Sequence, residues 1–421
     1  MRILGLGRHA LTSCAAAAIL AGCGGSPMRA IPGFSSAGFA EQRTRPNIPY
    51  AILYSFKGGS VDGASPSAPL LEVNGVLYGT TAAGGGTGCV NGCGTVFAVT
   101  TSGVETALHY FDGGSDGANP VAGLINVKGI LYGTTERGGD MSCAGSRGPG
   151  CGTIFSISTR GKKFRVLHVF SGGSDGRNSA AGLLDVKGRL YGTTQFGGGD
   201  GCFGGGCGTV YSIGRRGEEH VLYSFLGSQG DDGSLPMASL IDVNRMLYGT
   251  TYDGVGNGVV YRISTDGAEQ VLHRFKKYPK GGGRFPFAGL VNVNGTLYGT
   301  TKRGGRDDDG TVYSISKSGE EKVLFSFHGY DGLHPSATLI DLNGTLYGTT
   351  QRGGSGGCKN GCGTVYSITT QGEENVLYNF GSTSNDGLYP SAALIDVNST
   401  LYGTTSGGGT NGDGTVFTLT P

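Results

Sequence analysis

Cysteines are the first residues of this chain whose types and spacing could do chemistry. Eight of the ten stand in close pairs: Cys89 and Cys93, Cys143 and Cys151, Cys202 and Cys207, Cys358 and Cys362. A Cys-x3-Cys step offers a metal two ligands, whereas a structural zinc site needs four and often draws on histidine. No histidine stands in the loops that carry these pairs. Of the connectivities that eight cysteines allow, locality singles out one: four disulfides, each closed within its own loop. That pattern belongs to an oxidising compartment. Loops this short would each stabilise the fold by about 2–3 kcal/mol in the chain-entropy account. No metal and no cofactor is called for.

The other two cysteines lie near the start. Arg2 and Arg8 precede an apolar, alanine-rich stretch from Ala10 to Leu20, which is too short for a comfortable permanent span. Cys14 lies inside it. The stretch ends in Leu20-Ala21-Gly22-Cys23, which resembles the bacterial lipobox. The resemblance implies a signal peptide over residues 1–22 and lipid attachment at Cys23, hence an exported, membrane-anchored lipoprotein. Residues 23–50 are rich in Gly, Ser, Pro and Arg and are expected to form a flexible tether.

Other groups with possible chemistry are weaker. Lys276, Lys277, Tyr278, Lys280, Arg284, Phe285 and Phe287 stand close together, and Lys302, Arg303 and Arg306 belong to the next variable loop. Seven cations and three aromatics in one sector could attract an anionic polymer and stack on it. Asp307, Asp308 and Asp309 would partly neutralise them. Histidines at 109, 168, 220 and 273 fall in strand-like runs, where packing is the simpler role. An aspartate recurs at Asp62, Asp116, Asp175, Asp232, Asp331 and Asp386, five times as Asp-Gly-x-x-Pro. Recurrence with the repeat points to a turn that shapes the chain. A second acidic or amide position, Glu72, Asn126, Asp185, Asp242, Asn292, Asp341 and Asp396, precedes each tight hairpin and is expected to support the turn or line a channel. No His-Glu-x-x-His or P-loop is present. With a net charge of +1, nothing favours nucleic acid as a partner.

Beyond the leader and tether, these groups lie within an internal repeat. Leu-Tyr-Gly-Thr-Thr occurs seven times, with its tyrosine at positions 78, 132, 191, 248, 298, 347 and 402. A period near 50 residues signals a propeller or a related array. Each copy holds four short β-like runs, A to D, shown by Ala238–Val243, Met246–Thr251, Val259–Ile263 and Val271–Phe275. Asn-Gly at 74, 294 and 343 supplies the positive φ of a two-residue A–B hairpin. A lone four-stranded meander cannot cover its own faces, but radial packing covers them. The array opens with a D run, Ile52–Phe56, and closes with a C run, Thr415–Leu419. The expected fold is an all-β, seven-bladed propeller over residues 51–421, closed by the first run pairing with the last.

Leu-Tyr-Gly-Thr-Thr, the Gly-Gly that follows it, and the Gly-Thr-Val-Tyr run resemble a bacterial family of choice-of-anchor proteins with tandem GloVer-type repeats. The resemblance implies an exported repeat protein with a variable anchoring device and assigns no catalytic residue or ligand. The D–A and B–C loops share one face, vary in length and hold the paired cysteines. The expected function is therefore non-catalytic binding or scaffolding at the cell surface, by a monomer, with a polysaccharide or a surface protein as partner. The rival is a glycosidase or lyase acting on an extracellular polymer.

Overall fold

A computed structural model describes residues 48–145, 148–254, 256–276 and 281–421. The leader, Cys23 and most of the expected tether lie outside these residues. The architecture is a seven-bladed β-propeller. Six blades follow the chain in A-B-C-D order, as in Leu71–Val73, Val76–Thr81, Thr95–Thr100 and Glu105–Tyr110 of the first. The seventh takes its outer strand from the other end: Tyr50–Ser55 pairs antiparallel with Thr415–Leu419. The expected closure is present, and its edge lies two residues earlier than read. Tyr50 stacks on Tyr378 at 3.8 Å and donates to Asp386, while Ile48 packs against the same core.

The A strands are shorter than their apolar runs. Only Ile241–Val243 of the fourth is paired, because Ala238 and Ser239 lie against the axis, where neighbouring blades meet. A single helical turn, Gly201–Gly204, interrupts the β structure inside the third B–C loop. Each D strand carries a register shift against its C strand, as between Val96 and Phe97, and such bulges add twist.

Two rings of contacts fix blade to blade, and both explain the repeated pentapeptide. Phe56, Phe111, Phe170, Phe225, Phe275, Phe327 and Phe380, at the ends of the outer strands, are essentially fully buried. Each meets the C-strand ring of the next blade edge to face, from Phe56 against Phe97 at 5.1 Å round to Phe380 against Phe417 at 5.1 Å. Such pairs add about 0.5–1.5 kcal/mol beyond their buried area. The C-strand ring lies over the glycine of the pentapeptide, so that a Cβ on Gly79 would stand 2.5 Å from Phe97 Cζ. Nearer the axis, the first threonine of each pentapeptide donates to an alanine carbonyl of the next blade. Thr404 to Ala68 completes the circle. The second threonine turns inward within its own blade, as Thr81 does to Thr95 at 2.9 Å.

The four expected disulfides are present, with Cα–Cα distances of 5.2, 5.7, 5.3 and 5.2 Å in chain order. All lie in B–C loops. Short ribbons tie these loops to the D–A loops on the same face, as where Gly63–Ala64 pairs with Ala83–Gly84.

Candidate ligand site at the channel mouth

The residue after each Leu-Tyr-Gly-Thr-Thr is where the B strand leaves the blade. It is Ala82, Glu136, Gln195, Tyr252, Lys302, Gln351 or Ser406, so an invariant motif ends on a position that varies almost every time. In six blades its backbone N–H is held by a D–A loop residue: Ser65 accepts from Ala82, Asn119 from Glu136, Asn178 from Gln195, Leu235 from Tyr252, Phe285 from Lys302 and Tyr389 from Ser406. These six, with His334, all take a left-handed conformation at φ 54–61°. For Leu235, Phe285 and Tyr389 that backbone is costly, and strain of this kind gathers at functional sites. Two variable rings thus surround the axis on the face of the D–A and B–C loops.

Inside them lies a cavity of about 250 Å³. Its lining includes Glu136, Gln195, Lys302 and Gln351 from the B-strand ends, and Phe287, Ser336 and Ser391 from the positions after the D–A prolines. Below it the channel narrows among small residues such as Ala181, Ala288 and Ala337. A larger hollow of about 560 Å³ lies between the first and last blades, but Asp413 is the one charged group in its lining.

The polar groups of the mouth are incompletely paired. Gln195 is 1% exposed; its Nε2 donates to Glu136 at 3.4 Å, and its Oε1 has no protein partner. Ser336 Oγ is also buried without one. Lys302 Nζ stands 5.3 Å from the centre of the Phe287 ring. Burial, followed by the cations Arg303 and Arg352, pulls its pKa below the usual lysine range. His334 is lowered by burial and by the same cations with Lys302. Tyr252 stacks on Phe285 at 5.1 Å and meets Phe287 edge to face at 6.0 Å.

The cation-rich sector read from the sequence divides here. Phe285, Phe287 and Lys302 join the channel mouth. Arg284 and Arg303 both pair with Asp308, so their charge is largely spent within the loops. Lys276 and Arg306 are exposed. Lys277, Tyr278 and Lys280 lie outside the described residues. Sequence reasoning missed Glu136, Gln195, Tyr252, Ser336 and Gln351. The signal was available as variation directly after an invariant pentapeptide.

The Gloeobacter/Verrucomicrobia repeat is matched over residues 44–257, 143–360 and 254–421. The chain belongs to that family. Similar solved structures include an oligogalacturonate lyase in complex with manganese, at TM-score 0.52 and 11% identity over 89% of this chain and 96% of that one. A puromycin hydrolase gives TM-score 0.50 and 11% identity over 84% of this chain and 53% of that one. A luciferin-regenerating enzyme gives 0.42 and 13% over 89% and 95%. At such identities the likeness extends to the fold alone. No match is found among curated proteins.

In this Gloeobacter/Verrucomicrobia repeat protein the recurring aspartates hold turns. Asp62 accepts from Tyr54 Oη and from the N–H groups of Lys57 and Gly63. Asp116 and Asp175 take a histidine instead, His109 at 3.0 Å and His168 at 3.3 Å. Blade five has Gly282 in place of the aspartate, and Glu321 of its own outer strand reaches across to His273 of blade four and accepts from the Gly283 N–H. In the second acidic ring Glu72, Asn126, Asp242 and Asp341 support their hairpins, each accepting from the backbone N–H three residues on, as Asp341 does from Gly344 at 2.9 Å. Among the described residues, no three His, Cys, Asp or Glu side chains gather as a metal site.

The same junctions make stability depend on pH. Glu105, Glu219 and Glu269 are each pushed up to about 7, mainly by burial, with further repulsion from Asp62, Asp175 and Asp232 respectively. Lys57 opposes the shift at Glu105, His168 and Arg189 at Glu219, and Tyr223 and Arg274 at Glu269. The folded state therefore holds protons that the unfolded chain releases near 4.5. Stability should fall as pH rises from about 4.5 to about 7 and stay level above. Melting temperatures across that window check this, and changing all three glutamates to Gln should flatten the slope. An unchanged slope in the triple variant would discard the assignment.

Proposed function

We propose that this repeat protein is an exported, lipid-anchored binding module whose ligand enters the mouth of the propeller channel. The observation that carries this reading is the contrast between seven constant blades and two variable rings around one partly unpaired polar cavity. Function on rigid scaffolds concentrates on such variable positions. The disulfides fit maturation in an oxidising compartment. Cys23 at the end of the lipobox-like tetrapeptide would supply the anchor. A non-catalytic role is favoured over hydrolysis of a polymer because Glu136 is the single carboxylate in the cavity lining. Two-carboxylate glycoside hydrolysis needs a pair.

A glycan and polymer array probed with the detergent-solubilised chain tests the binding reading. Retention of at least one glycan class, lost when Phe287 and Gln195 are both changed to Ala, is expected. Retention that this double change leaves untouched would move the site elsewhere, and an empty array would remove glycans as ligands. In cell fractionation, Cys23→Ser should shift the chain from the membrane to the soluble fraction.

A further inference from the structure

The polar groups of the mouth are not interchangeable around the ring. Lys302 brings an ammonium group over the Phe287 ring, and no carboxylate among the described residues pairs with it. Its charged neighbours, Arg303 and Arg352, are both cations. Arg303 has Asp308 for company, and Arg352 lies over Tyr389 at 5.7 Å. On this side of the mouth the cations therefore outnumber the carboxylates that pair with them. The same side carries the aromatic group Phe287, Tyr252 and Phe285. Two blades away, Gln195 Oε1 is a buried acceptor with nothing to accept from, and in the loop that leads into the neighbouring blade Ser336 Oγ is buried and unpaired. Gln351 lines the same space. A buried polar atom left without a partner is destabilising until something pairs with it. The cavity thus asks for an anionic group at Lys302, a flat face for the aromatic rings, and hydroxyls for the amide and serine positions.

At about 250 Å³ the space equals the share of about eight waters, enough for one sugar ring and too little for a folded chain. We propose that the channel mouth takes a single uronic acid unit, its carboxylate on Lys302, its ring face against Phe287, and its hydroxyls on Gln195, Ser336 and Gln351. This rests on the binding reading above and adds the class of ligand. Contact with the ring face is the usual way an aromatic side chain meets a sugar. The ammonium group is a point charge suited to one carboxylate rather than to a bidentate fork. Filling the cavity would end the isolation of Lys302 and of both unpaired oxygens at once.

The test is calorimetric titration of the full, detergent-solubilised chain with glucuronate and galacturonate, with glucose, galactose and hexanoate as controls. At least one uronate should bind at least tenfold more tightly than its neutral counterpart and than hexanoate, with affinity falling as salt is raised. Lys302→Met should remove that tenfold preference while leaving the melting temperature near the parent's. Gln195→Leu should weaken uronate without restoring neutral sugars. Equal binding of neutral and acidic sugars, abolished by Phe287→Ala, would overturn the uronate assignment and leave the binding reading standing. Equal binding of hexanoate would reduce the site to charge alone and overturn the sugar. Failure of all five probes would overturn the assignment outright. Loss of folding in Lys302→Met would move the test to Lys302→Gln, which must then show the same loss of preference.

Discussion

Removing residues 50–57 is expected to leave a chain that aggregates or melts far below the parent. The deletion strips the outer strand from blade seven, so Thr415–Leu419 becomes an unpaired edge. It also removes Phe56, one of seven rings in the inter-blade wheel, and exposes Phe97 beneath it. Tyr50 and Tyr54 go with it, and with them the hydrogen bonds to Asp386 and Asp62. Truncating one buried Phe alone costs about 3–5 kcal/mol. Whole domains are stable by about 5–15 kcal/mol, so the combined loss reaches the size of the total. Thermal unfolding by circular dichroism, with light scattering to detect aggregates, reads the result. Deletion of residues 24–46, which stops before Ile48, is the control and should leave the melting temperature unchanged. A 50–57 deletion that melts like the parent would show that the circle does not depend on its closing strand.

Gly310→Ala should cost about 2–4 kcal/mol. Gly310 opens the fifth C strand at φ 109°, a conformation that side chains rarely adopt. An added Cβ would stand 2.5 Å from the Thr301 carbonyl oxygen and 2.5 Å from Cδ of Pro335 in the next D–A loop. Neither is the free end of a flexible side chain, so the loop itself must move. The loop that moves carries His334 and Ser336, hence the mouth should loosen as well. Gly344→Ala is the comparison: its φ is 86°, but nothing lies within 4 Å of the added carbon. That change should cost about 1 kcal/mol through the backbone alone. Urea unfolding of the two variants separates them, and equal midpoints would mean that the close approach at Gly310 carries no energetic weight.

How much of this was legible in the sequence follows from the range over which each feature is decided. The pentapeptide spacing gave seven blades because each blade is a local meander whose turns are written in neighbouring residues, such as Asn294-Gly295. Pairing of the cysteines was legible for the same reason, as each disulfide closes within one loop. The closing strand was legible because a D run without its blade stands at one end and a C run without its D at the other. What the sequence left open is decided between blades. The end of the outer edge at Tyr50 depends on Tyr378 and Asp386, more than 300 positions away. Whether a cation is free or spent depends on which carboxylate the fold brings beside it: Arg284 and Arg303 met Asp308, while Lys302 met Phe287. Glu136, Gln195, Lys302 and Gln351 come from four different blades and share a cavity because radial packing turns every B-strand end toward one axis. Local propensity sets the strands and turns, since it acts over a few residues. Only closure of the circle creates the mouth, because no single blade encloses a space.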